Sequence, residues 1–225
     1  MKGFFITGTD TGVGKTVVSA LVAVLLIENG FSVAVRKPIE TGSNTPCDGL
    51  FLKNITGTPD GLDVITPIRF THPLAPLAAA QLENKAIDID EIIRAFDGIS
   101  NTSIAIVEGI GGLLVPITKD FFAADLIKRL ALPAILVSSN KLGTINHTLL
   151  SLEYMKHNGI EAAGIIFNNN NIGRDDISVD TNIELIRQLT GVPVIAAVPF
   201  LEAINYNTLA AVSKTVNYDI IRGFL

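Results

Sequence analysis

The sequence has a single cysteine, Cys47, so it cannot form an internal disulfide, and a reducing compartment is its simplest setting. Histidine is sparse too, with three in the chain. His72, His147 and His157 are scattered, and the last two stand ten residues apart rather than at the i, i+4 spacing of a helical zinc site. Basic residues are not in excess: 17 lysines and arginines face 22 aspartates and glutamates, a net charge of −5. That balance argues against a broad nucleic-acid surface, but not against a small anionic ligand held by a few well-placed donors. No long hydrophobic run is present. The strongest, residues 16–27, lies between Lys15 and Glu28 and is too short to span a bilayer. The apolar start after Lys2 is soon interrupted by Thr9-Asp10-Thr11-Gly12, so no targeting segment is expected. Charged residues are also few, 17% against 48% hydrophobic, as expected where both faces of a sheet are covered.

What the chain does have is an alternation. Short β-branched runs predict strands over residues 3–7, 32–36, 103–107, 133–137, 163–167 and 192–198. Helical patterns occupy 15–29, 47–56, 76–84, 89–96, 120–130, 145–158, 180–189 and 209–224, with Asp88 or Asp90 capping the one over 89–96. This order predicts an α/β fold: a doubly wound, mostly parallel sheet with helices on both faces, P-loop NTPase-like, with residues 1–225 forming one domain. Crossovers in such folds are right-handed and ligands sit beyond the carboxyl ends of the strands. The chemically suggestive polar residues fall at those ends: 9–16, Lys37, Glu108, 138–141 and Asn168.

The first of these segments is Gly8-Thr9-Asp10-Thr11-Gly12-Val13-Gly14-Lys15-Thr16. Gly14, Lys15 and Thr16 fit the end of the P-loop pattern G-x-x-x-x-G-K-[ST], while Thr9 stands where its first glycine belongs. The physics of phosphate binding is retained. Gly12 and Gly14 allow a backbone that turns successive N–H groups inward, and a helix N-terminus adds unpaired donors and positive partial charge. Lys15 is placed to reach β- and γ-phosphates, and the Thr16 hydroxyl is a natural Mg²⁺ ligand. A nucleoside triphosphate with Mg²⁺ is therefore the expected ligand.

Three further positions gain meaning beside that loop. Lys37 follows the second strand within Arg36-Lys37-Pro38-Ile39-Glu40-Thr41-Gly42. Alone it would read as a solvated strand end; next to a phosphate loop it reads as a ligand group. Glu108 closes an apolar strand and precedes Gly109-Ile110-Gly111-Gly112, the place where P-loop sites carry a second, metal-side carboxylate. Asp48, in Pro46-Cys47-Asp48-Gly49, is by itself more often a helix cap than a metal ligand.

Taken in order, GTDTGVGKT, KPIETG, VEGIGGLLVP, NKLGTINHTLL and the asparagine after GIIF resemble the dethiobiotin synthetase family across essentially the whole chain. The resemblance implies a cytoplasmic homodimer that closes the ureido ring of dethiobiotin from 7,8-diaminopelargonate, CO₂ and ATP with Mg²⁺, in biotin synthesis. By motif, Thr16, Asp48 and Glu108 would hold Mg²⁺. Thr11, Lys15, Lys37 and Thr41 would surround the carbamate and the transferring phosphoryl group. Gly12, Val13, Gly14, Val17 and Gly111 would complete the ATP site. Asn168, or a neighbour among Asn169, Asn170 and Asn171, would read the base, with Pro199-Phe200-Leu201 forming part of its pocket. The turn Gly143-Thr144-Ile145-Asn146 would bind the substrate carboxylate from the neighbouring subunit, a role suited to a helix start. Two positions depart from some family members: Gly12 stands where a Glu can occur, and Thr41 where a Ser can occur.

Two other classes share the loop. A ParA/MinD-like switch ATPase carries a second loop lysine, where this chain has Asp10, and often a membrane- or DNA-facing segment. Here the tail residues Val212, Val216, Ile220 and Ile221 fit a packed helix. A cobyrinate-type amide synthetase needs a glutaminase domain that 225 residues do not hold.

Overall fold

The structure is a computed structural model that describes residues 1–45, 47–169 and 178–225. In chain order its elements are β1 (Lys2–Gly8), α1 (Lys15–Glu28), β2 (Ser32–Arg36), β3 (Ile39–Thr41), α2 (Cys47–Thr56), α3 (Leu62–Ile65) and β4 (Ile68–Phe70). Then come α4 (Pro76–Glu83), α5 (Ile89–Arg94), β5 (Ser103–Gly112), β6 (Pro116–Thr118), β7 (Phe121–Phe122), α6 (Ala123–Leu130) and β8 (Ala134–Ser139). The chain continues through α7 (Thr144–His157), β9 (Ala162–Asn168), α8 (Ser178–Leu189), β10 (Val194–Val198), α9 (Tyr206–Ser213) and α10 (Tyr218–Arg222).

Six strands form one parallel sheet of order β10-β9-β8-β1-β5-β2. Alternation along each strand sends side chains to two core layers. Phe4 and Ile6 of β1 pack with Val18 and Leu21 of α1, Leu52 of α2 and Leu209 of α9. Phe5 points the other way, into a layer with Ala79 of α4, Ile92 of α5, Leu126 of α6, Leu152 of α7 and Ile186 of α8. Burying each large apolar side chain contributes about 1.5–3 kcal/mol, so the layers clamp the sheet from both faces. β1 lies between β5 and β8, and the strand order runs outward from it in both directions. Its carboxyl end is therefore the switch point where a crevice opens. No helix among the described residues is long and apolar enough to cross a membrane.

Several expected boundaries move. The helix expected over 120–130 begins only at Ala123, because the aromatic Phe121 and Phe122 pair with β6 and the Asp125 side chain accepts the Phe122 N–H at 2.9 Å. The tail expected over 209–224 is two helices. Asn217 breaks it by donating its N–H to Ile195 of β10 at 2.9 Å. The last strand starts at Val194 rather than 192, and α7 starts one residue earlier than expected, at Thr144. Asp88 is the cap of α5, accepting the Asp90 N–H at 2.8 Å. The short β3, β4, β6, β7 and α3 lie outside the sequence expectation.

Candidate active site

The segment between β1 and α1 wraps the start of α1. Gly14, the residue before the first turn, has φ 93°, and Gly12 has φ 76°, both in the left-handed region that favours glycine. The loop is held from outside: the Asn168 side-chain amide, at the end of β9, donates to the Val13 carbonyl at 3.0 Å. A Cβ at Gly14 would stand 1.9 Å from that same amide nitrogen, so loop and asparagine are fitted to each other. Inside the loop, Lys15 Nζ donates to the Asp10 carbonyl at 3.0 Å and the Thr11 N–H to the Asp10 carboxylate at 2.7 Å. The first-turn N–H groups of α1 have no intrahelical acceptor and point toward an anion position.

Beside the loop lies a buried ionic cluster. Lys37, just beyond β2, donates from Nζ to Glu108 Oε1 at 2.5 Å and to the Gly109 carbonyl at 3.2 Å, and pairs with Asp48 Oδ2 at 3.0 Å. Thr16 Oγ1 donates to the same Glu108 oxygen at 2.8 Å. Glu108 Oε2 is buried with no hydrogen-bond partner among the described residues. One cavity of about 350 Å³ is lined by Thr11, Gly12, Gly14, Lys15, Thr16, Val17, Lys37, Thr41, Asp48, Glu108 and Gly111, and by Glu40 and Ile110 as well. Three strand ends and two helix starts thus supply a single space.

The charges perturb one another. Burial pulls the Lys15 ammonium down to about 8, helped by the like charge of Lys37 and opposed by Glu108 and Asp48. Burial also acts against the Lys37 ammonium, but the Glu108 and Asp48 carboxylates outweigh it and raise its pKa. Burial, with the nearby Asp48 charge, pushes the Glu108 carboxyl up against the pull of Lys37. At 2.5 Å, with Thr16 also donating to it, we read Glu108 as the ionised partner of Lys37.

The donor set suits a hard divalent cation. Thr16, Asp48 and Glu108 offer only oxygens, and one carboxylate oxygen of Glu108 is left over. Among the described residues, no group of three or more His, Cys, Asp or Glu can hold a metal ion. Mg²⁺ needs none, since one or two carboxylates and substrate phosphates are its usual ligands.

The remaining expected residues lie apart from this cavity. Thr144 borders a second, polar space of about 230 Å³ shared with Val13, Lys141 and His147. Its hydroxyl lies 2.6 Å from that of Ser138 and its N–H donates to the Lys141 carbonyl at 3.1 Å, so both are already engaged. Gly143 precedes α7 as its N-cap with φ 91°, and the amides of Ile145 and Asn146 lie in the first turn, where helical partners are lacking. Pro199 and Phe200 are exposed after β10 and, with Leu201, line neither cavity. Asn169 is described, with Oδ1 buried and without a hydrogen-bond partner among the described residues; Asn170 and Asn171 lie outside them. Glu40, for which the sequence suggests no role although it sits inside KPIETG, lines the first cavity, and His147, whose spacing is not that of a helical zinc site, borders the second.

The parallel sheet with a phosphate loop at its switch point defines a P-loop nucleotide-binding protein. Residues 2–208 match a family described as an AAA domain. In overall shape the chain is similar to the cell-division ATPase MinD of Pyrococcus furiosus (TM-score 0.56, 16% identity, all of both chains), a likeness of fold alone. Sequence relatives are far nearer. ATP-dependent dethiobiotin synthetase BioD of Thermodesulfovibrio yellowstonii is 40% identical over 97% of this chain and 96% of its own. The Bacillus subtilis strain 168 protein of the same name is 39% identical over 98% and 97%. That of Methanocaldococcus jannaschii is 47% identical over 73% and 78%. The chain belongs to the ATP-dependent dethiobiotin synthetase family.

Proposed function

We propose that this chain is an ATP-dependent cyclo-ligase that closes the ureido ring of dethiobiotin from 7,8-diaminopelargonate and CO₂, in biotin biosynthesis. The observation that carries the reading is the meeting of Lys15, Thr16, Lys37, Asp48 and Glu108 on one cavity beside the phosphate loop, in a chain about 40% identical to relatives of that name.

The chemistry asks for these residue types. One substrate amine adds to CO₂ and loses a proton, giving a carbamate. A carbamate oxygen attacks the γ-phosphorus and ADP leaves. The second amine then attacks the carbamoyl carbon and loses a proton, the C–O bond breaks, phosphate leaves, and the ring closes. Negative charge spreads over phosphoryl oxygens in the transfer, so cations and N–H donors must already be in place. Lys15, Lys37, Thr11 and the loop amides supply them, and Thr41 lies beside the carbamate. No protein base is required at the phosphoryl step, because the carbamate is itself the nucleophile. Mg²⁺, when bound by Thr16, Asp48 and Glu108, would neutralise charge on the triphosphate. Asn168 would read the base, with Pro199, Phe200 and Leu201 at its side.

The reading extends to a cytoplasmic homodimer in which Gly143-Thr144-Ile145-Asn146 of one subunit takes the substrate carboxylate bound to the other. Exposed Leu114 (58%) and Leu150 (62%), which border one surface cavity, support an apolar face to be covered. Phosphate release from Mg-ATP is the test. It should depend on both bicarbonate and 7,8-diaminopelargonate and yield a product with the mass of dethiobiotin. Slow release indifferent to the diamine would replace this reading with a switch ATPase.

A further inference from the structure

We infer that Glu40 is a positioning residue that aims the Asp48 arm of the site, a proposal that rests on the reading of Asp48 as a metal ligand. Glu40 is only 6% exposed and lies in β3, three residues beyond Lys37. Its carboxylate is split across the start of α2. Oε1 accepts the Asp48 N–H at 3.0 Å and Oε2 accepts the Gly49 N–H at 3.2 Å. Those N–H groups belong to the first turn of α2, where no intrahelical carbonyl can serve them and a negative charge is favoured. Glu40 thus borders the metal side of the cavity with each of its oxygens turned to a backbone N–H of α2, the placement of a residue behind a ligand.

Asp48 needs such support. Its side chain is 38% exposed at the cavity rim, and its Oδ2 contact with Lys37 is the ion pair it makes there. Its direction is set mainly by where the helix start sits. A second contact also fixes that start. Gly49 presses on Thr66 so closely that a Cβ would stand 2.2 Å from its hydroxyl oxygen. Held by Glu40 and Thr66, α2 presents Asp48 to Lys37. The segment that supplies Lys37 thus also fixes the opposing carboxylate, much as residues behind metal ligands commonly orient them.

The test is Mn²⁺ binding, as a stand-in for Mg²⁺, read by electron paramagnetic resonance in the presence of ADP. Wild type, Glu40→Ala, Glu40→Gln, Asp48→Asn and the Glu40→Ala/Asp48→Asn pair are compared, with metal-free ADP binding and melting temperature as controls. Glu40→Ala should weaken Mn²⁺ by about 10–100-fold, the range for residues behind a metal ligand. Glu40→Gln, which keeps one acceptor, should have a smaller effect and provides the folded variant if the alanine form is unstable. The pair should bind Mn²⁺ no more weakly than Asp48→Asn alone, because Glu40 acts through Asp48. Metal-free ADP binding should be unchanged in the two single Glu40 variants. Unchanged Mn²⁺ affinity in both Glu40 variants, or additive losses in the pair, would overturn the proposal while Asp48 keeps its role. Unchanged affinity in Asp48→Asn would overturn the reading of Asp48 and this proposal with it.

Discussion

Lys15 keeps its ammonium in surroundings that oppose it, with a pKa drawn down to about 8 by burial and by Lys37. An anionic phosphate beside it favours the charged form and raises that pKa. Nucleotide binding should thus be independent of pH below about 8, as far as this residue is concerned. Above about 8 the affinity should fall, by at most about tenfold per pH unit, because free enzyme must take up a proton to bind. Calorimetric titration of ADP across that range checks it, and a flat profile to pH 10 or so would contradict it. Lys37 is the complementary case, its charge held by Glu108 and Asp48. Lys37→Ala should lower turnover by about 10²–10³ with ATP binding kept. Leaving buried Glu108 unpaired should also cost about 3–5 kcal/mol of stability, so rates must be read below the variant's melting temperature. Unchanged turnover would remove Lys37 from the chemistry. Lys15, Thr16, Lys37 and Glu108 were legible in the sequence because a loop pattern and strand ends announce them. Glu40 was not, because its partners are backbone N–H groups of a helix whose placement only the fold reveals.

At the scale of elements, the phosphate loop and β9 behave as one unit through Asn168 and Val13. Gly14→Ala meets two obstacles there, a backbone φ of 93° and the Asn168 amide at 1.9 Å. A left-handed alanine alone costs about 1–2 kcal/mol, which in a chain of this size lowers the melting temperature by several degrees at about 2–4 °C per kcal/mol. Nucleotide affinity should fall as well, since the amides around Gly14 move. A variant with unaltered melting and ADP binding would show the fit to be loose. The long elements were readable in advance: a strand such as Ser103–Gly112 and a helix such as Thr144–His157 carry enough turns of their period to be recognised. Strands of two or three residues, such as β3 and β7, carry no period, and the existence of β3 depends besides on a partner far along the chain, β4. The break of the tail at Asn217 was hidden for the same reason, since the carbonyl that captures its N–H belongs to β10.

For the whole molecule, sedimentation should give twice the 23.9 kDa of one chain. Leu150→Asp, on the exposed face beside Leu114, should shift it toward one chain and raise KM for the diamine more than KM for ATP. A monomeric wild type with full activity would remove the shared carboxylate site. The central claim is that the γ-phosphoryl group passes to a carbamate held over the phosphate loop, and oxygen labelling tests it most directly. With ¹⁸O-labelled bicarbonate, ATP and 7,8-diaminopelargonate, assayed before the label exchanges with water, the phosphate released should carry one labelled oxygen, because the C–O bond of the carbamic–phosphoric anhydride is the one that breaks. Phosphate free of label, formed at the same rate as dethiobiotin, would contradict phosphoryl transfer to the carbamate.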